Sequence, residues 1–276
     1  MSDSQPPESQ EARPLSFLAA AGWTILVGIL YQLAVLVSDA ARPGAVTDVV
    51  THTACEALAY SIVFFAILRV HEPDSSIRQV LALRAPSVLA AVLAIVAGVA
   101  LAIPSDFVEK AISARSPPSQ KEIDFVERLY AAPTTGKKAL LIATLVMIAP
   151  IADELFFRGA IFTPLKRGRR LEPIVMAVAA YETIANLNPR TMLPFFVTVL
   201  VFTWIRGTTG SIIPSILGRI GYYAMGTLPL AMGKLLPKAS NGIVAGSLGI
   251  AVLSLLAIAA LSRRDPRALD ARLEDG

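Results

Sequence analysis

Ala149-Pro150-Ile151-Ala152-Asp153-Glu154-Leu155-Phe156-Phe157-Arg158-Gly159 places two carboxylates and a guanidinium inside an otherwise apolar run. On a helix Glu154 and Arg158 stand four residues apart and are neighbours on one face, whereas Asp153 points about 100° away on the 3.6-residue period. One acid is therefore expected to pair with Arg158, leaving the other freer. Pro150 has no N–H to offer the carbonyl of Val146, so a kink is expected just before the acids, turning backbone polar groups towards them.

The surroundings of this stretch set the fold class. Apolar residues make up 54% of the 276-residue chain and charged residues 17%, with a mean hydropathy of +0.60. That is too apolar for a soluble domain of this length. Apolar runs of about 20 residues, the length that spans hydrocarbon, recur near 16–38, 48–70, 86–105, 139–165, 172–188, 191–206, 210–233 and 241–262. The reading is an all-α, polytopic transmembrane helix bundle of eight spans. Pro194, Pro214, Gly218, Gly221, Gly226 and Pro229 interrupt the sixth and seventh spans, which a bundle tolerates where neighbouring helices satisfy the freed backbone. The polar residues 1–14 read as a disordered tail, without the apolar core of a signal peptide. Residues 15–264 form the membrane domain and 265–276 a second tail.

Charge is read as topology. Arg13, Arg69, Arg78, Arg84, Lys166, Arg167, Arg169, Arg170, Arg206, Arg263, Arg264, Arg267 and Arg272 fall on the side of the termini, against Arg42, Arg190, Lys234 and Lys238 in the short opposite loops. The positive-inside rule places both termini in the cytoplasm, and the expected location is a bacterial inner membrane. The loop 106–138 mixes both signs. Within it Ser119 and Glu122 form a capping-box pattern, followed by Ile123, Val126, Leu129 and Tyr130 at helical spacing, which predicts a short surface helix. Ser76 to Arg84 reads as a similar interfacial segment. The net charge of +4 lies in inter-helix loops and does not point to nucleic acid. A single cysteine, Cys55, excludes an internal disulfide and any CxxC metal pattern. No cofactor and no metal is expected.

The pattern A-P-I-x-[E/D]-E-L-x-F-R-G resembles the first motif, EExxxR, of the CPBP family: type II CAAX prenyl endopeptidases, bacteriocin-processing enzymes and abortive infection proteins. The resemblance implies a polytopic helical fold. In its active members a motif-one glutamate and two later histidines activate water for attack on a peptide bond. Glu182-Thr183-Ile184-Ala185-Asn186-Leu187-Asn188-Pro189 lies where the family shows FxxxHLNP, with Asn186 in the histidine's place. Gly210-Ser211-Ile212-Ile213-Pro214-Ser215-Ile216-Leu217-Gly218-Arg219 is similar to the lead-in of the third motif, with Arg219 in the histidine's place and Tyr223 where Asn or Asp is usual. Asp153 stands for the first glutamate. The resemblance covers roughly residues 139–226, keeping the scaffold while changing the chemistry.

Those exchanges have physical consequences. An asparagine amide does not titrate and arginine stays protonated, so neither replaces imidazole as a base. Arg219, set against Asp153 or Glu154 as the resemblance implies, holds a carboxylate ionised and makes it a poorer base for water. Glu182 is an additional intramembrane acid, one turn before Asn186, and is a candidate substitute. Asp153, Glu154 and Glu182 then face Arg158 and Arg219, either as a site or as a buried polar network locking the spans.

The two histidines lie elsewhere. Asp48, His52 and Glu56 share one face of the second span, a ladder that could hold a metal or relay a proton but reads first as a hydrated interfacial face. His71, beside Glu72 and Pro73, reads as a solvated loop residue, and Cys55 as a small packing residue. The functional expectation is a degenerate protease whose old cleft binds or scaffolds a transmembrane or lipidated peptide, or a membrane protein partner, among membrane lipids. The alternatives are an active intramembrane endopeptidase using Asp153, Glu154 or Glu182, and a transporter or ion-conducting protein, although no inverted repeat is evident.

Overall fold

In hydrocarbon every backbone N–H and C=O must be satisfied within the chain, and helices do this locally. The computed structural model describes residues 14–131, 134–186, 188–231 and 239–265, and every regular element among them is helical. The long elements are α1 (Phe17–Ala41), α2 (Val49–His71), α4 (Val88–Arg115), α6 (Thr135–Lys166), α7 (Leu171–Asn186), α8 (Met192–Thr209), α9 (Ile212–Ala231) and α10 (Asn241–Arg264). The shorter α3 (Ile77–Val80) and α5 (Gln120–Leu129) lie in connections. The expected tails fall almost wholly outside the described residues, as do Lys234 and Lys238.

Helix starts follow from short hydroxyl side chains that accept the orphan N–H groups of the first turn. Ser16, Ser87, Thr134 and Ser240 each accept a backbone N–H three residues on. Gly210 ends α8 in the left-handed conformation, at φ 66°, which glycine adopts without steric cost.

Side-chain contacts sort the connections into two ends. Arg169 Nη1 donates to Leu15 O at 2.8 Å, Arg167 pairs with Glu72, and Ser211 Oγ donates to Arg84 O at 2.7 Å. At the other end Arg190 Nη1 binds Glu122 Oε1 at 2.8 Å and its Nε donates to Ser116 O at 2.9 Å. Arg42, Asp48, Arg128 and Lys137 there line a shared space of about 590 Å³. The long helices therefore run alternately between the ends. Six of them, α1, α2, α4, α6, α8 and α10, are long and apolar enough to cross a membrane. α7 has 16 residues, short of the roughly 20 that a span needs. These helices make the chain an integral membrane protein.

Two of the apolar clusters among the described residues join most of the long helices. One joins α1, α2, α6 and α7 around Phe156, Phe157, Ile161, Val63 and Ile174; the other joins α4, α8 and α10 around Ala94, Phe202 and Ile258. Between α4 and α9 the backbones themselves meet, because Gly98, Gly218 and Gly221 carry no side chains there.

Three local expectations are corrected. α4 continues through Lys110, which pairs with Asp106 at 2.7 Å, to Arg115, so the long loop starts later than residue 106. The Ser76–Arg84 segment does not lie free on the surface but is anchored into the bundle, while Ser76–Gln79 stay exposed. Its capping box forms, but Val80, Leu81 and Ala82 are buried, Thr163 Oγ1 donates to Val80 O at 2.7 Å, and Leu81 packs on Gly159. His71 is not solvated either: it is buried at the end of α2 and its Nε2 accepts from Trp23 Nε1 at 3.2 Å. An aromatic N–H partner and apolar neighbours at the helix end outweigh the polar residues that follow it.

The predicted surface helix is present as α5, with the reciprocal Ser119–Glu122 box and no buried residue. Arg190 grips Glu122 through both terminal guanidinium nitrogens, Nη1 and Nη2, tying α5 to the connection between α7 and α8. That hydrogen bond, helped by the Ser119 backbone N–H, holds the Glu122 carboxyl down at about 2. Because the folded value lies below the ordinary one, the clamp contributes fully above about pH 4.5 and is lost as pH falls towards about 2. A spin label at Val126 is expected to keep its mobility from pH 7 to about pH 5 and to gain it near pH 2. Arg190→Ala should raise mobility throughout; equal mobility in both proteins at every pH contradicts the clamp.

Candidate functional site

The decisive geometry starts in the backbone of α6. Its helix widens to i→i+5 hydrogen bonding over Thr144–Ile148, where the Ala149 N–H reaches Thr144 O, and again over Leu155–Ile161. Between these wide turns lies one regular segment, Ala149–Glu154, with Pro150 in its first turn. Such widened turns commonly mark functional positions, and here they flank the acids. The perturbation expected at Pro150 thus takes the form of a widened turn before it.

Three helices, α6 itself, α7 and α9, bring charges to this segment, and α8 adds a backbone carbonyl. Arg219 on α9 donates through Nη2 to Asp153 Oδ2 at 2.6 Å and through Nη1 to Glu154 Oε1 at 3.1 Å. The same Nη1 also bonds Glu182 Oε1 from α7. Arg158 pairs with Glu154 at 3.4 Å and with Glu182, while its Nη2 donates to Val199 O of α8 at 2.7 Å. All five side chains are buried, Glu154 and Arg158 at 0% exposure and Asp153 the least so at 9%. Glu154 pairs with Arg158 as its spacing implies, but Asp153, expected to be the freer acid, is taken up by the second cation from α9. The Nε–H groups of both arginines are buried without an acceptor.

Arg219 is seated from both sides. The rings of Phe195 and Tyr223 lie with centroids 5.9 and 5.7 Å from its guanidinium carbon, within cation–π range. One turn before it, Ser215 Oγ contacts Glu154 Oε2 and lies 3.0 Å from Phe202 O. Ser215, Arg219 and Tyr223 thus recur every four residues down the face of α9 that meets α6.

Asn186 does not join them. It is exposed at the last residue of α7, while Glu182, one turn earlier, points into the cluster. Sequence reasoning placed Glu56 in the α2 ladder, apart from this cluster, and missed Tyr60. Tyr60 Oη lies 3.1 Å from Asp153 Oδ1 and 3.2 Å from Glu56 Oε1, and its ring stacks on Phe156 at 4.7 Å. The available signal was an acid and a tyrosine four residues apart inside an apolar run.

Tyr60 also borders an apolar cavity of about 440 Å³ between α2 and α6, lined by Ala57, Phe64, Leu81, Ile148, Ala152 and Leu155 among others. The phenol therefore separates an apolar volume from the carboxylate cluster. The histidines stand apart from that cluster: His71 beside Trp23, and His52 with its Nδ1 2.5 Å from Tyr31 Oη and its Nε2 2.8 Å from Val46 O.

Chemically, the arrangement fixes four carboxyl groups around two guanidiniums. It supplies hydrogen bonds and charge, and no imidazole. Among the described residues no group of three or more His, Cys, Asp or Glu has the arrangement of a metal site.

The family model for type II CAAX prenyl endopeptidase Rce1-like proteins matches residues 135–225, about a third of the chain. The matched region holds α6, α7, α8 and most of α9, and so includes Asp153, Glu154, Arg158, Glu182, Ser215 and Arg219 but not Glu56 or Tyr60. No curated protein and no solved structure matches the chain.

Proposed function

We propose that this protein is a non-hydrolytic relative of the CAAX-type intramembrane endopeptidases that holds an apolar or lipidated peptide segment beside its former cleavage centre. The observation that carries the reading is Arg219, whose guanidinium bonds Asp153, Glu154 and Glu182 where the family resemblance expects a histidine. A general base must hold the attacking water within hydrogen-bond reach of a free oxygen. The same contacts occupy the oxygens that would otherwise orient an attacking water.

The cavity supports the binding half of the reading. Its volume of about 440 Å³ falls within the range of small-ligand sites, roughly 300–1,000 Å³, and its walls are almost wholly apolar. All eight long helices are proposed to cross the membrane, with the end that carries Arg69, Arg78, Arg84, Arg167, Arg169, Arg263 and Arg264 in the cytoplasm. One observation favours hydrolysis by acids alone, namely four acids against two arginines.

Ala152 lines the cavity beside Asp153. In lipid nanodiscs, a fluorescent farnesylated peptide is expected to bind the unaltered protein, and Ala152→Phe to weaken binding by about tenfold, the equivalent of 1.4 kcal/mol, without loss of thermal stability. Equal binding by both proteins, or binding by neither, contradicts the cavity assignment.

A further inference from the structure

At the Arg190 end of the bundle, cations from three elements converge on one space. Arg42 caps the end of α1, Arg128 lies in the last turn of α5 and Lys137 in the first turn of α6, and with Asp48 they line the cavity of about 590 Å³. The acid in that lining is already engaged: Asp48 Oδ2 accepts from Arg42 Nη2 at 2.8 Å and from Thr51 Oγ1 at 2.6 Å. Arg128 uses its Nε–H on Asp124 O at 3.1 Å. Its two terminal nitrogens and the Lys137 ammonium have no partner among the described residues. Three cations against one acid leave the lining with two positive charges, and Arg42 neutralises the carboxylate that would repel an anion.

The rest of the lining is largely apolar. Val49 and Leu141 are buried, and Leu140 is 48% exposed. Val49 is the first residue of α2, while Leu140 and Leu141 lie in the second turn of α6, and both helices are long and apolar enough to cross a membrane. The cavity therefore lies where two spans reach the headgroup region, with an apolar side towards hydrocarbon and cations at the level of lipid phosphate.

The surface helix completes it. α5 has no buried residue, exposes Phe125 and Val126, and packs against the Ala45–Thr47 turn. An amphipathic helix of this kind lies in the membrane interface, and the Arg190–Glu122 clamp fixes it there, which fixes the place of Arg128. A soluble anion would leave the apolar side of the cavity uncovered, and an uncharged lipid would leave the cations without a partner.

We propose that this cavity binds one anionic glycerophospholipid, with its phosphodiester between Arg128 and Lys137 and its acyl chains against Leu140 and Leu141 where α2 and α6 enter the bilayer. The terminal N–H groups of Arg128 donate to two phosphate oxygens as a fork, and the Lys137 ammonium adds a compact charge.

Native mass spectrometry of the delipidated protein in detergent tests the assignment, with phosphatidylglycerol or phosphatidylcholine of the same acyl chains added. The expected result is one retained phosphatidylglycerol per protein and several-fold weaker retention of phosphatidylcholine. Arg128→Gln combined with Lys137→Gln should weaken phosphatidylglycerol binding roughly thirtyfold, about fivefold for each cation near the lipid phosphate. Lys121→Gln combined with Lys138→Gln removes the same charge from outside the lining and should leave affinity within about twofold, because more distant exposed charges are screened. All four side chains are exposed, so both double variants should unfold at the temperature of the unaltered protein. Equal retention of the two lipids, or equal weakening by the two double variants, overturns the site. Displacement of the lipid by soluble glycerol phosphate at the same concentration overturns the lipid as its occupant.

Discussion

Arg219→Met is expected to destabilise the protein by roughly 3–5 kcal/mol, the cost of removing one partner from a buried charge pair. The guanidinium serves Asp153, Glu154 and Glu182 together, and all three are buried. Without it those acids face only Arg158, which already binds Glu154, Glu182 and Val199 O. Thermal unfolding in detergent micelles should show the loss. Adding Asp153→Asn to Arg219→Met should restore a large part of it, because the neutral amide no longer needs a cation. A single variant as stable as the unaltered protein would remove Arg219 from the centre of the fold.

Gly98→Ala is expected to cost roughly 3 kcal/mol, the upper part of the range for overpacking a tight interface. A Cβ at Gly98 would stand 1.8 Å from Gly218 O and 2.7 Å from its carbonyl carbon. These are backbone atoms and cannot rotate away. α4 and α9 would have to separate, carrying Arg219, the next residue after Gly218, off the carboxylates. Gly246→Ala in α10 is the control, since nothing lies within 4 Å of its Cβ, and it should leave stability within about 0.5 kcal/mol or raise it slightly. If both variants unfold alike, the close crossing of α4 and α9 is not what holds Arg219.

What was legible in the sequence follows from how local each determinant is. The Ala149–Gly159 stretch announced itself because charge is rare in an apolar run, and Glu154 and Arg158 do pair as their spacing implies. The meeting of Arg219 with these acids followed from the family resemblance, since no local pattern connects residues 65 positions apart. Tyr60 and Asp153 are separated by 93 positions, and the face of α2 that bears Glu56 also bears His52 and Asp48, so its polar residues pointed to the rim as readily as to the interior. Asn186 was placed by motif alignment; in three dimensions α7 turns Glu182 inward and leaves Asn186 at its exposed end. The burial of His71 and of Val80–Ala82 was hidden because short polar-flanked segments carry too few residues to show a period. The spacing of apolar runs placed all the long helices, but it did not show that α7 ends after 16 residues at Asn186.

The central claim is that fixed ion pairing by Arg219 has replaced hydrolysis. Its most direct test is cleavage of transmembrane and farnesylated peptides by the purified protein in lipid vesicles, beside its Glu154→Ala variant. The expected result is no cleavage by the unaltered protein above the level of that variant. Cleavage by the unaltered protein that Glu154→Ala abolishes would contradict the account and assign the chemistry to the acids themselves.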